Sequence, residues 1–164
     1  MNQAHYHLLV NHLPIIIPII GFLVMLGGII FKSNDIKKAA FLIFVLGAIC
    51  TFPAAATGDG AEEIVENLPG VSEQIIHTHE EAAEVFIILS YILGVVSLAG
   101  FLATWKQKSY ATIFTYVVLI YAAVVLFFAS RTGTTGGEIR HSEIRNDTGQ
   151  NITPESKPTD EDED

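Results

Sequence analysis

Four apolar blocks fix what this chain can become: residues 13–31, 39–57, 82–105 and 110–130. The first, second and fourth hold no Asp, Glu, Lys or Arg, and the third holds only Glu84, in its opening turn. A helix of about 20 mostly apolar residues crosses the hydrocarbon of a bilayer. In lipid, moreover, only a helix or a closed barrel satisfies its own backbone. The blocks therefore predict an all-α fold, an integral membrane four-helix bundle, and a 164-residue chain has room for little else. A mean hydropathy of +0.43 coexists with a net charge of −9 because the acids lie between and after the blocks.

The connecting segments predict an orientation. Residues 32–38 carry Lys32, Lys37 and Lys38, and the short link after the third block carries Lys106 and Lys108. Residues 58–81 have no Lys or Arg but hold Asp59, Glu62, Glu63, Glu66, Glu73, Glu80 and Glu81. Basic loops stay in the cytoplasm, so both termini and the acidic loop are expected outside, with up-down-up-down topology. For a bacterial inner membrane that outside is the periplasm. Residues 1–12 lack Lys and Arg and no small-residue cleavage site follows the first block, so the first span is expected to be retained. The four-helix domain is expected over residues 1–131. Residues 132–164 read as a periplasmic linker, glycine-rich over 133–137, and an acidic disordered tail ending D-E-D-E-D. This acidity excludes nucleic acid as a partner, since phosphates would be repelled. A single cysteine, Cys50, permits no internal disulfide.

Chemistry-bearing residues gather on the outer side. All six histidines (His5, His7, His12, His77, His79 and His141) fall there, within reach of the ends of the spans. If spans 1 and 3 lie diagonally across the bundle, imidazoles at their outer ends face one another. Two neutral imidazoles from different helices are the ligand set of a b-type haem. His77 and His79 are about 200° apart on a helix, so one of them faces inward. His79 shares a face with Ala83, Phe86 and Ser90, and is the expected inward ring; His77 shares its face with Glu81 and Glu84. His7 and His12 are about 140° apart if helical, so both turn inward only if the chain near Asn11 is irregular. The haem candidates are His7, His12, His79 and, beyond the fourth block, His141. Zn²⁺ or Cu²⁺ on His7, His12 and His79, with Glu80 and Glu84 nearby, is an alternative use of the same residues. A third possibility is that the histidines bind nothing and only hydrogen-bond loop carbonyls.

The segment His7-Leu8-Leu9-Val10-Asn11-His12-Leu13-Pro14-Ile15 resembles the amino-terminal motif, roughly H-P-x-x-V-H-F-P-I, of an uncharacterised bacterial four-helix membrane-protein family, a domain of unknown function. Thr57-Gly58 after the second block, a histidine before the third and Gly136-Gly137-Glu138-Ile139 after the fourth resemble the same family. Leu8 stands where the family has proline, and Arg140-His141 where it has Val-Tyr. The resemblance implies His7 and His12 as site positions and an association with c-type cytochromes.

These readings converge on a haem-b-binding redox subunit of an inner-membrane electron-transfer complex, haem near the periplasmic face. Its expected partners are the lipid bilayer and other membrane or cytochrome subunits. The alternatives are a cofactor-free structural or docking subunit and a periplasmic-face metal-binding protein. No intramembrane charge favours an ion-coupled transporter, and nothing in the pattern identifies a stand-alone enzyme.

Overall fold

The computed structural model describes residues 2–145; the acidic tail expected over residues 146–164 lies outside them. The described residues form six α-helices: α1 (Gln3–Val10), α2 (Leu13–Ile30), α3 (Asn34–Ala56), α4 (Gly58–Val65), α5 (Glu73–Trp105) and α6 (Ala111–Arg140). A short 3-10 turn, Ser142–Ile144, follows, and no strand occurs among the described residues. Four segments, Gln3–Ile30, Asn34–Ala56, Glu73–Trp105 and Ala111–Arg140, are long and apolar enough to cross a membrane. The fold is an all-α four-helix bundle.

Local chemistry sets the helix ends. Asn2 caps α1 by accepting the His5 N–H at 3.0 Å, and Ser33 caps α3 through the Ile36 N–H at 3.4 Å. Pro14 sits in the first turn of α2, where a missing N–H costs nothing. Two tight turns join α2 to α3 and α5 to α6, and they are built alike. Lys32 and Gln107 adopt positive φ, 51° and 50°. The following amides, of Ser33 and Lys108, reach back to Gly28 O and Ala103 O at 3.0 and 2.9 Å. Each turn thus satisfies the last carbonyls of its helix in the manner of a Schellman cap.

The bundle closes as a ring: α2 packs on α3, α3 on α5, α5 on α6 and α6 on α2, leaving α2 and α5 on a diagonal. Close approach comes from aromatic side chains of α3 entering gaps left by glycine. A Cβ on Gly21 would stand 2.9 Å from Phe44 Cε1, and one on Gly100 would stand 2.6 Å from Phe41 Cε1. Phe41, Phe44, Met25, Leu93, Val118, Ala122 and Val125 are buried around these contacts. In lipid, where apolar burial drives nothing, such interlocking of shapes is what holds helices together. The outer faces carry Leu23, Ile49, Val95, Ile120 and Phe127, each more than 60% exposed. Such a belt suits hydrocarbon and would be a liability in water.

Two expectations are corrected. Residues 132–137, read as a linker, are helical and belong to α6, so the bundle extends past residue 131. Three glycines weaken that stretch by roughly 1 kcal/mol each relative to alanine, but packing overrides the propensity. Gly133 lies against Ile15 and Gly136 against His79, and Thr132 Oγ1 donates to Ala82 O at 3.0 Å. The outer 58–81 segment, in turn, contains α4, which packs on α1; a Cβ on Gly60 would stand 2.7 Å from Gln3 Cγ.

Candidate functional site

The end of the bundle built from α1, α4, the start of α5 and the end of α6 carries all six histidines. The structure sorts them sharply. His5, His12, His77 and His141 are exposed; His7 and His79 are half-buried.

His7 projects from α1 onto the end of α3. Its Nδ1 lies 3.1 Å from Ala54 O and 3.1 Å from Thr57 Oγ1. A carbonyl only accepts, so Nδ1 carries the proton. The Thr57 hydroxyl spends its own proton on Pro53 O at 2.8 Å, which leaves its lone pairs for His7. His79 projects from α5 onto α6 in the same manner. Its Nδ1 lies 3.1 Å from Thr135 Oγ1, whose proton goes to Arg131 O at 3.1 Å. The Thr132 backbone supports the same ring. The His79 ring also lies against α6, so close that a Cβ on Gly136 would stand 2.9 Å from its Cε1.

The consequence is chemical. With the Ala54 carbonyl accepting from His7 and the Thr135 hydroxyl donating to Arg131 O, both rings are assigned the tautomer with the proton on Nδ1 and the lone pair on Nε2. Neither Nε2 has a hydrogen-bond partner among the described residues. A metal-ligating histidine has this form, with one nitrogen fixed by a carbonyl or hydroxyl and the other offered. Burial disfavours the charged form of both rings, and at His79 the neighbouring His7 adds to that, so the neutral state of the pair is favoured. Asn11, one turn beyond His7, has a buried Oδ1 with no partner among the described residues.

The remaining candidates lie elsewhere. The chain is irregular at Asn11–His12, as turning both His7 and His12 inward would require, yet His12 is exposed at the break between α1 and α2. His77 faces Glu81 at 3.7 Å on the outer side of α5. It helps line a surface hollow with Glu73, Gln74 and Thr78, and His79 takes no part in it. His141 ends α6, exposed, with Nδ1 2.9 Å from Glu143 Oε1. There the Glu143 carboxyl is held below its usual range, first by a backbone hydrogen bond and then by His141. Among the described residues no three or more His, Cys, Asp or Glu side chains converge as a metal site.

Sequence reasoning missed the residues that hold the pair. Thr57 and Gly136 stood out only as parts of motifs, and Thr132 and Thr135 read as linker. Arg145 was likewise silent, yet its guanidinium donates to Glu138 O at 2.7 Å, Gly70 O at 2.9 Å and Ile139 O at 3.1 Å. It ties the end of α6 to the turn before α5. No family model, curated protein or solved structure matches this chain.

Proposed function

We propose that this protein is a membrane-embedded electron-transfer subunit that holds a b-type haem between His7 and His79. The observation that carries the reading is the pair itself: two imidazoles from α1 and α5, each tethered at Nδ1 and each offering Nε2. Two histidines would suffice to hold a b-type haem, whereas a Zn²⁺ site would need three or four protein ligands. A pair with no third ligand among the described residues therefore suits haem better than a bare ion.

Bound there, haem supplies one-electron chemistry by cycling its iron between the ferric and ferrous states. The chain's part is positional. Thr57 and Ala54 fix the plane of His7, Thr135 and the α6 backbone fix that of His79, and both contacts raise the basicity of the ligating nitrogen. We place the lysine-bearing turns in the cytoplasm, and hence the histidine end at the periplasmic face of a bacterial inner membrane. Exposed Glu63, Glu66, Glu73, Glu80, Glu81 and Glu84 surround that end and suit a basic partner, such as a cytochrome, by charge complementarity. The same acidic surface also supports a second reading, a cofactor-free docking subunit.

An absorbance spectrum with iron analysis of the full chain, purified from cells supplied with haem, separates the two. A Soret band with about one iron per chain is expected. Protein that carries neither, while copurifying with other subunits, would leave the docking role.

A further inference from the structure

At the opposite end of the bundle a hollow of about 220 Å³ lies between α3, α5 and α6. We propose that it binds a phosphate group, that of an anionic lipid headgroup or free phosphate.

Charge is the first argument. Lys37 and Lys108 line the hollow with the neutral polar side chains of Asn34, Thr104, Gln107 and Thr112, and no carboxylate does. Neither lysine has an ion-pair partner among the described residues. Asp35, the one acid in the two turns and the adjoining helix starts, is taken by Lys38 at 2.7 Å. In a chain of net charge −9, two unpartnered ammonium groups on one polar hollow form a local anion trap.

Packing is the second. Lys37 is half-buried, and its stem runs over Gly28 so closely that a Cβ there would stand 2.9 Å from Lys37 Cγ. That contact restrains the side chain which borders the hollow. The third argument is the start of α6. Tyr110 gives this helix no side-chain cap; the Ala111 and Ile113 amides are spent on Lys108 O and Tyr110 O, but the positive end of the helix dipole lies at the hollow, where Thr112 is part of the lining. Depth is the fourth. Trp105 and Tyr110, 62% and 49% exposed, flank the site, and such residues seat at the headgroup level of a bilayer. Lipid phosphates therefore stand at the mouth.

The test follows the thermal unfolding of the full chain in a non-ionic detergent, titrated with phosphatidylglycerol, phosphatidylcholine or inorganic phosphate. Phosphatidylglycerol should raise the midpoint and phosphatidylcholine should not. The double variant Lys37→Gln/Lys108→Gln should need on the order of tenfold more phosphatidylglycerol for the same rise, whereas Lys38→Gln should respond like the wild type. A rise with phosphatidylglycerol alone assigns the lipid headgroup; an equal rise with inorganic phosphate assigns the free anion. Native mass spectrometry of the wild type, showing phosphatidylglycerol retained through detergent exchange, provides a readout independent of the variants' folding. Equal responses to both lipids, or an unaltered response in a folded double variant, would overturn the site.

Discussion

At one end of the bundle the helices turn in residues 31–33 and 106–110, and those turns with their flanks carry Lys32, Lys37, Lys38, Lys106 and Lys108. At the other end the chain spends α1, α4, the overhang of α5 and the last turns of α6 on a layer of histidines and carboxylates. The turns at the lysine end satisfy their own backbone and leave a polar hollow. The histidine end uses hydroxyls and carbonyls of α3 and α6 to orient two rings borne by α1 and α5. The two ends differ in charge, and the proposed orientation in the membrane rests on that difference. On the proposed function, the difference in construction is a division of labour, with anchoring at one end and haem binding at the other.

The contrast is most directly broken by removing its charge. Replacing the five lysines by glutamine should turn a single orientation into a mixture. Impermeant thiol labelling of Asp59→Cys and Gln107→Cys reports it: only the first should react in otherwise unaltered chains, and both should react once the lysines are gone.

A smaller effect sharpens the histidine side. Gly136→Val sets a branched side chain where the His79 ring lies, and overpacking of this kind costs about 1–3 kcal/mol. We expect a lower unfolding midpoint together with weaker haem retention. Gly27→Val, where a Cβ meets nothing within 4 Å, should leave retention unchanged.

The acidic surface provides a pH test. Glu62 on α4 lies against Glu80 on α5, and a hydrogen bond between the two carboxyls pushes the Glu62 pKa up, with partial desolvation and the charges of Glu80 and Asp59 adding to it. The folded chain therefore binds that proton more tightly than the unfolded chain. The contact is intact at acidic pH and weakens as pH rises through the raised pKa. Amide exchange in α4 should accelerate over this range relative to Glu62→Gln, in which the dependence should vanish.

The smallest effect concerns Arg145. Its loss in Arg145→Ala leaves three carbonyls without their donor, a local cost of about 1 kcal/mol. Exchange should quicken over residues 138–144 and stay unchanged in α3.

Much of this architecture is legible in the sequence, for identifiable reasons. Apolar blocks of spanning length, with Glu84 their one charge, fix four helices, and the half-turn between His77 and His79 separates an outward ring from an inward one. Other features escape because the deciding term is tertiary. Residues 133–137 carry the composition of a linker, but contacts with Ile15 and His79 keep them helical. Spacing says only that His7 and His12 both face inward if the chain near Asn11 is irregular; the helix does break at Asn11–His12, yet His12 is exposed, and no local pattern decides that. Threonine roles stay hidden for a similar reason. Thr57 and Thr135 lie 50 and 56 residues from the histidines they orient, and no local pattern spans that distance.

The central claim is that His7 and His79, and not the other histidines, form the ligand pair. A haem titration of apoprotein, followed at the Soret band, tests it most directly across the wild type and single alanine variants of His7, His12, His79 and His141. The wild type, His12→Ala and His141→Ala are expected to saturate at one haem per chain with a low-spin spectrum, while His7→Ala and His79→Ala lose that spectrum. Saturation with an unaltered low-spin spectrum in all four variants, or no binding by the wild type, would contradict the account.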